Sequence, residues 1–287
     1  SIPEIIQQEG DSLYPVYMPA YCRKRSVLVY CYQIILHLFK NRIPVQGEGT
    51  MDVKVAIVVA IACYLIGSLS FARIVYWLVT RKNLEDFELH DEATGRMFKL
   101  DSVSASSVGA ALNTRWGMLV SLLDILKAVL PVLGVRLLFP GQLYYLAAAI
   151  FVLLGHIFPV YHRFQGSGGY TVMLGSLAVI DWLAAIVLPI AGPLIGMLIL
   201  RNFVLSLILW VVLLIPWMIL RTDDPAFIWY AVAMNVVFIG GMLPQALRIL
   251  KQRREGQASV GSAWVDSTPM GKSFARMARY LKVKIPS

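Results

Sequence analysis

Charged side chains are scarce in this chain. Asp, Glu, Lys and Arg make up 15% of its 287 residues, whereas a soluble domain carries about a quarter. Cysteine is scarcer still, because Cys22, Cys31 and Cys63 are few, odd in number and widely spaced, which favours neither a metal site nor a complete set of disulfides. The shortage of charge excludes an ordinary soluble enzyme and indicates a protein that lies in a membrane.

Long apolar runs take the place of the missing charge. Hydrophobic residues make up 58% of the chain, and several runs are long enough to cross a bilayer, which takes about 20 residues per helix. The runs predict an all-α, polytopic integral membrane protein with about seven transmembrane helices. The predicted spans are 53–79, 117–138, 142–158, 170–180, 183–200, 202–220 and 226–247. Two helices instead of three remain an alternative for 170–220.

The basic residues are concentrated in two parts of the chain. Much of the net charge of +9 lies in 81–115 and 248–287. Leaving 1–54 aside, a cytoplasmic C-terminus places only Arg136 and Arg221 on the opposite side of the predicted bundle, which agrees with the positive-inside rule. The pattern predicts a multi-pass protein that contacts anionic membrane lipids and has no nucleic-acid partner.

The two ends differ from the bundle, 51–248. The apolar segment 26–39 is too short to span comfortably, and Met51 directly precedes the first span. We therefore expect 1–50 to be a translated leader or, alternatively, a basic arm on the membrane surface. The cytoplasmic tail, 249–287, has apolar residues at helical spacing among lysines and arginines, which predicts an amphipathic helix on the inner leaflet. A docking segment for a partner protein is the alternative for this helix.

The most informative stretch joins two predicted spans between 154 and 169. Its glycine-rich end lets backbone N–H groups approach an anion at the start of the next helix, and Arg163 adds a positive charge. His156 is a candidate base or phosphate ligand, with a hydrogen-bonded histidine at a helix end as the alternative. The candidate residues are His156, Arg163, Gly166, Ser167, Gly168 and Gly169.

A second candidate loop, 101–115, is rich in serine and small residues. Its hydroxyls and backbone N–H groups can bind a phosphate, with Arg115 supplying charge at the start of the next helix. An ordinary solvated loop is the alternative. Within that helix, Asp124 and Lys127 share a face at i and i+3; a structural ion pair is favoured over a catalytic one.

Four segments resemble, in the same order, the bacterial acyl-phosphate:glycerol-3-phosphate acyltransferases, the PlsY family. They are 64–71, 101–115, 122–127 and 154–160, the last reading Leu-Gly-His-Ile-Phe-Pro-Val. The resemblance covers about 53–256. It implies a seven-helix bundle in the bacterial plasma membrane, with the active site at the cytoplasmic face. It also implies transfer of an acyl group from acyl phosphate to glycerol 3-phosphate, giving lysophosphatidate for phospholipid synthesis without any cofactor.

The chain departs from the family's motifs. Gln165 and Gly168 stand where the second motif has lysines, the first motif is altered at 105–111, and Met242–Arg248 lacks the histidine and asparagine of the third. A catalytically inactive paralogue, serving as a membrane-complex subunit or lipid-binding protein, is therefore the alternative function. A transporter is a third possibility, although no internal repeat is visible.

The resemblance also implies roles for the candidate residues. Arg115, Arg163 and the backbone of 166–169 would hold phosphate, whether from glycerol 3-phosphate, a related phosphate or the donor. Ser106, Ser107 and Asn113 would line the donor site, and His156 would support the loop. The substrate's own phosphate can take the hydroxyl proton, so no catalytic residue is assigned and no metal is expected.

Overall fold

The computed structural model describes residues 52–90, 97–99, 103–199, 201 and 203–254, all of which belong to a single unit, 43–287. The predicted leader, 1–50, and the predicted amphipathic helix of the tail lie outside the described residues. The boundaries proposed for these end regions stay predictions.

The described residues are almost entirely helical, as the sequence predicts. In chain order the helices are α1 Val53–Gly67, α2 Phe71–Thr80, α3 Ala105–Ala111, α4 Thr114–Leu138, α5 Tyr144–Ile157, α6 Tyr170–Ile180, α7 Trp182–Leu198, α8 Phe203–Val212, α9 Leu214–Arg221 and α10 Pro225–Arg254. Short 3₁₀ turns cover Leu84–Asp86 and Val160–His162. A small antiparallel hairpin, β1 Glu88–His90 and β2 Met97–Lys99, pairs Glu88 with Lys99.

The integral membrane class is confirmed. Within the described residues, four helical segments are long and apolar enough to cross a bilayer: Val53–Thr80, Thr114–Leu138, Tyr144–His162 and Pro225–Leu243. Three shorter apolar helices, Tyr170–Ile180, Trp182–Leu198 and Ile208–Arg221, accompany them. The total of seven spans stays a prediction.

The first span is broken, whereas the sequence analysis predicts one helix over 53–79. Both the N–H and the hydroxyl of Ser68 donate to the carbonyl oxygen of Tyr64, at 2.9 and 2.8 Å. Ser70 then adopts an extended backbone and begins α2. Serine hydroxyls compete for backbone partners in this way and favour helix ends over helix interiors.

The predicted helix over 202–220 is also divided, at Leu213 between α8 and α9. Pro216 lacks the N–H that would continue the α8 ladder, and it is tolerated only because it lies in the first turn of α9. Region 170–220 therefore contains α6, α7, α8 and α9, which make up three apolar segments, Tyr170–Ile180, Trp182–Leu198 and Ile208–Arg221.

Helices α1 and α5 cross at two glycines. A Cβ added to Gly67 would overlap the backbone carbonyl of Val152, and one added to Gly155 would overlap the carbonyl oxygen of Tyr64. The Tyr64 hydroxyl donates to the Phe158 carbonyl oxygen at 2.8 Å. Small residues of this kind let membrane helices approach closely. Two of the segments that carry the family resemblance are thus packing partners.

Replacing Gly155 with Ala is expected to destabilise the protein by about 1–3 kcal/mol, because backbone cannot move aside for the added methyl group. Gly134→Ala is the matched control, because nothing lies within 4 Å of a Cβ added there. Thermal unfolding in detergent compares the two variants. Equal unfolding temperatures for both would contradict the close crossing of α1 and α5.

Candidate functional site

Three polar side chains from two helices meet in the interior of the bundle. The Nζ of Lys127 lies 3.2 Å from Oδ1 of Asp124, its neighbour on α4, and 2.8 Å from Nδ1 of His156 on α5. The exposed fractions of these side chains are 1%, 4% and 6%. Because a lysine ammonium has donors only, Nδ1 of the imidazole accepts. The predicted Asp124–Lys127 pair is therefore present, with His156 as a third member.

Lys127 also ties this cluster to the break in the first span. Its Nζ donates to the carbonyl oxygen of Leu69 at 2.7 Å. Leu69 lies between α1 and α2, where the helical ladder is interrupted. The ammonium group thus pairs ionically with Asp124 on α4 and donates hydrogen bonds to His156 on α5 and to the break, so Lys127 joins three elements at one point.

The turn after α5 passes directly over this point. The Val160 N–H donates to the Ser68 hydroxyl at 3.4 Å, and the Ser167 N–H donates to the His156 carbonyl oxygen at 3.4 Å. Between them the chain takes positive φ angles at Arg163 and Phe164, of 50° and 60°. A Cβ on Gly166 would overlap the His156 carbonyl oxygen. Glycine is required at 166 because the turn touches the end of α5.

A small cavity lies between the turn and the break. Its volume is about 10 Å³, enough for about one water molecule. The polar side chains that line it come from the break, α2, α4, α5 and the turn. They are Ser68, Ser70, Arg73, Asp124, His156 and Ser167.

The predicted site residues are only partly brought together. His156, Gly166 and Ser167 line the cavity, while Gly169 takes a φ of 80° at the start of α6. The side chains of Arg115 and Arg163 are exposed on the surface of the described bundle. The other predicted residues, Ser106, Ser107, Asn113 and Gly168, are not among those that line the cavity in the described part of the chain.

Ser106, Ser107 and Asn113 are engaged in local capping. Ser104 precedes α3, and its hydroxyl lies 2.8 and 2.9 Å from those of Ser106 and Ser107. The Asn113 side chain accepts from the N–H groups of Arg115 and Trp116 and so caps α4. These contacts explain the composition of the loop through helix capping.

Arg73, Ser68 and Ser70 border the cavity although sequence reasoning missed them. The available signal was Arg73 itself, a charge within a predicted span, which marks a functional site by default. Hydropathy indicates one continuous span over 53–79 and gives no sign of the break that brings these residues together. No group of three or more His, Cys, Asp or Glu side chains able to hold a metal occurs in the part of the chain that the structure describes.

Known proteins match this chain in both sequence and structure. A sequence model of a family described as glycerol-3-phosphate acyltransferase matches residues 57–252. Among curated relatives, glycerol-3-phosphate acyltransferase 1 of Lactobacillus acidophilus is 29% identical over 123 residues, covering 43% of this chain and 55% of the relative. The glycerol-3-phosphate acyltransferase of Pelagibacter ubique is 31% identical over 121 residues, covering 42% and 56%. The chain spans about half the length of these relatives.

A solved structure has the same fold. It is PlsY, an integral membrane glycerol 3-phosphate acyltransferase, in its glycerol 3-phosphate form, with a TM-score of 0.55 and 23% sequence identity. The match covers 69% of this chain and 94% of that one.

Proposed function

Since this chain belongs to the glycerol-3-phosphate acyltransferase family, we propose that it transfers an acyl group from acyl phosphate to glycerol 3-phosphate. The product is lysophosphatidate, a precursor of membrane phospholipids. The observation that carries the proposal is the cavity at the break, where Arg73, His156, Gly166 and Ser167 meet. This part of the chain lies within the family match.

The reaction needs binding and orientation more than protein acid–base chemistry. The primary hydroxyl oxygen of glycerol 3-phosphate attacks the acyl carbon, and the bond from that carbon to the phosphate oxygen breaks. The hydroxyl proton passes to a phosphate oxygen of the substrates, and inorganic phosphate leaves. Holding the two substrates in line is itself worth many orders of magnitude in rate.

The predicted binding residues keep their proposed roles. Arg115 and Arg163 are exposed and able to meet a phosphate, while the backbone of 166–169 approaches the start of α6. Ser106 and Ser107 would exchange their hydroxyl contacts with Ser104 for hydrogen bonds to the acyl-phosphate donor, and Asn113 would exchange its capping hydrogen bonds. His156 supports the turn through its carbonyl oxygen, which accepts from the Ser167 N–H.

The location follows from the charge pattern. The basic segments 81–115 and 248–287 favour the cytoplasmic side of a bacterial plasma membrane, with the C-terminus inside. Their cations suit the anionic lipids of the inner leaflet. Both loops that carry the predicted phosphate contacts then face the cytoplasm, from which the water-soluble glycerol 3-phosphate would reach them.

A catalytically inactive paralogue is the second candidate function. The observation that favours it is the presence of Gln165 and Gly168 where the family's second motif has lysines. Each charge-assisted hydrogen bond lost to a phosphate is worth about 1.5–3 kcal/mol. Such a protein would keep the fold and bind lipid or a membrane partner without turnover.

The purified full chain, supplied with palmitoyl phosphate, is expected to convert labelled glycerol 3-phosphate into lysophosphatidate. Vesicles without protein give the background, and an active family member such as the Pelagibacter ubique enzyme gives the positive control. Palmitoyl coenzyme A in place of palmitoyl phosphate is expected to yield no product. If this chain formed no lysophosphatidate above the vesicle background while the control was active, the result would favour the inactive paralogue.

A further inference from the structure

Arg73 on α2 borders the cavity but has no role in the reaction proposed for this chain. We propose that Arg73 binds the phosphate group of a substrate and supplies, from a different helix, positive charge that the turn lost with its lysines. The inference rests on the proposed function and deepens it. The ligand chemistry is a phosphate monoester or acyl phosphate, which both substrates share.

The guanidinium group of Arg73 is held in place but not fully used. Its Nε lies 2.7 Å from Oε1 of Glu85, and its Nη2 donates to the Gln165 carbonyl oxygen at 2.8 Å. Its Nη1 is buried and has no hydrogen-bond partner among the described residues. Only 11% of the Arg73 side chain is exposed. A buried donor such as Nη1 costs free energy when it makes no hydrogen bond, and a bound ligand would remove that cost. A planar guanidinium suits phosphate oxygens.

The position of Arg73 matches the missing charge. Its side chain donates to the carbonyl oxygen of Gln165, which stands where the family's second motif has the first of its two lysines. The cation therefore approaches the same turn from α2. Ser70 and Ser167 border the same cavity and carry hydroxyl groups that can donate to a phosphate.

The N-terminus of α2 adds to this site. The amide of Ile74 donates to the Ser70 carbonyl oxygen at 3.1 Å and begins the α2 ladder. The N–H groups of Phe71, Ala72 and Arg73 precede that ladder, and their residues line the cavity. First-turn amides and the positive end of the helix dipole favour an anion. Broken membrane helices use their termini in this way.

Neighbouring carboxylates do not cancel the charge of Arg73 at Nη1. Asp124 borders the cavity, but Lys127 lies 3.2 Å from its Oδ1. Glu85 pairs with Nε at 2.7 Å and is 49% exposed, so it offsets part of the guanidinium charge without occupying the Nη1 donors. The edge of the guanidinium that carries the Nη1 donors is therefore available to a ligand.

A phosphate group is larger than the cavity, so binding requires the turn to open. Arg73 also borders an open groove of about 440 Å³ that contains Trp77, Lys82 and His162. A phosphate that enters from this groove reaches Arg73 first. The hydrogen bond from Arg73 to the Gln165 carbonyl oxygen is the contact that gives way as the turn lifts.

Equilibrium binding to the full chain tests the proposal without needing turnover. Labelled glycerol 3-phosphate and labelled palmitoyl phosphate are measured in separate samples, which identifies the substrate whose phosphate Arg73 holds. For at least one of them, Arg73→Ala is expected to weaken binding about tenfold or more. Arg81→Ala is the matched control, because Arg81 lies over the Trp77 ring at 4.6 Å and is expected to change neither affinity.

Arg73→Lys separates ligand binding from a purely structural role. Lysine keeps the positive charge and can still donate to the Gln165 carbonyl oxygen in the closed turn, but it lacks the planar, two-pronged set of donors that suits phosphate oxygens. The expected affinity is therefore intermediate, with an unfolding temperature close to that of the wild type. Wild-type affinity in Arg73→Lys would assign Arg73 to the turn alone and overturn the proposal.

The remaining outcomes distinguish the two proposals. Tight phosphate binding that Arg73→Ala abolishes, in a chain without turnover, supports Arg73 and overturns the acyltransferase function. Turnover with equal affinities in Arg73→Ala and Arg81→Ala overturns Arg73 alone. A wild-type chain that binds neither phosphate overturns the Arg73 proposal directly.

Discussion

Lys127→Met is expected to destabilise the protein by about 3–5 kcal/mol, because it leaves the carboxylate of Asp124 buried without its cation. Only 4% of the Asp124 side chain is exposed. The same change removes the donors to Nδ1 of His156 and to the Leu69 carbonyl oxygen. Loss of the Leu69 contact releases the break between α1 and α2, so activity is expected to fall as well. Unfolding in detergent, followed by circular dichroism, measures the change.

The double variant Asp124→Asn, Lys127→Met provides the control. It removes both charges while keeping side chains of similar size, so most of the lost stability is expected to return. The activity is not expected to return, because Leu69 and His156 still lack their donor. A double variant no more stable than Lys127→Met would contradict the buried ion pair as the cause.

Gly166→Ala is expected to lower turnover on the order of 100-fold while the protein stays folded, because a displacement of about 1 Å at a reaction site has that effect. The added Cβ would overlap the His156 and Ile157 carbonyl oxygens and lie 2.7 Å from the Ile157 carbonyl carbon. The turn must therefore stay lifted from α5 in the free protein as well, so it can no longer open and close around a bound phosphate. Gln165 and Ser167 move with it, and so does the carbonyl oxygen that holds Arg73.

Gly240→Ala is the matched control for this change, because nothing lies within 4 Å of a Cβ added at 240 in α10. It is expected to keep the wild-type rate with palmitoyl phosphate and glycerol 3-phosphate. Initial rates at saturating substrate compare the two variants. A Gly166→Ala protein as active as the wild type would show that the contact of the turn with α5 is unnecessary for the reaction.

Helix ends that depend on local chemistry were predicted closely from the sequence. The predicted helix 170–180 is the observed α6, because Asp181 caps the following helix by accepting from the N–H groups of Leu183 and Ala184. The start of α4 at Thr114, by contrast, lies before the predicted span 117–138, because the side chain of Asn113 caps the helix there. Caps act over a few residues and are therefore visible in sequence.

The break at 68–70 depends on a different helix and could not be predicted in the same way. Its residues lie in a segment, Val53–Thr80, whose mean hydropathy is high although it contains Ser68, Ser70 and Arg73, so hydropathy indicates one continuous span. The break is supported by contacts far along the chain: Lys127 with Leu69, and Val160 with Ser68. Such tertiary contacts override local preference.

The site residues, like the helix ends, were predictable from sequence only where the signal is local. His156, Gly166 and Ser167 were found because glycine and histidine at a membrane border are unusual. Arg73 was missed because its significance depends on the break and on its contact with Gln165. Asp124 and Lys127 were recognised as a pair from their spacing, but the tie to His156 joins α4 to α5 and leaves no pattern in either helix.

The position of bound glycerol 3-phosphate in an experimental structure is the most direct test of the proposed site. We expect the phosphate to lie between the break and the turn, within hydrogen-bond distance of Nη1 of Arg73 and of Ser167. The turn at 163–167 is expected to have lifted from α5 to admit it. Glycerol 3-phosphate bound with its phosphate away from Arg73 and Ser167, and with the cavity at the break still closed, would contradict this site.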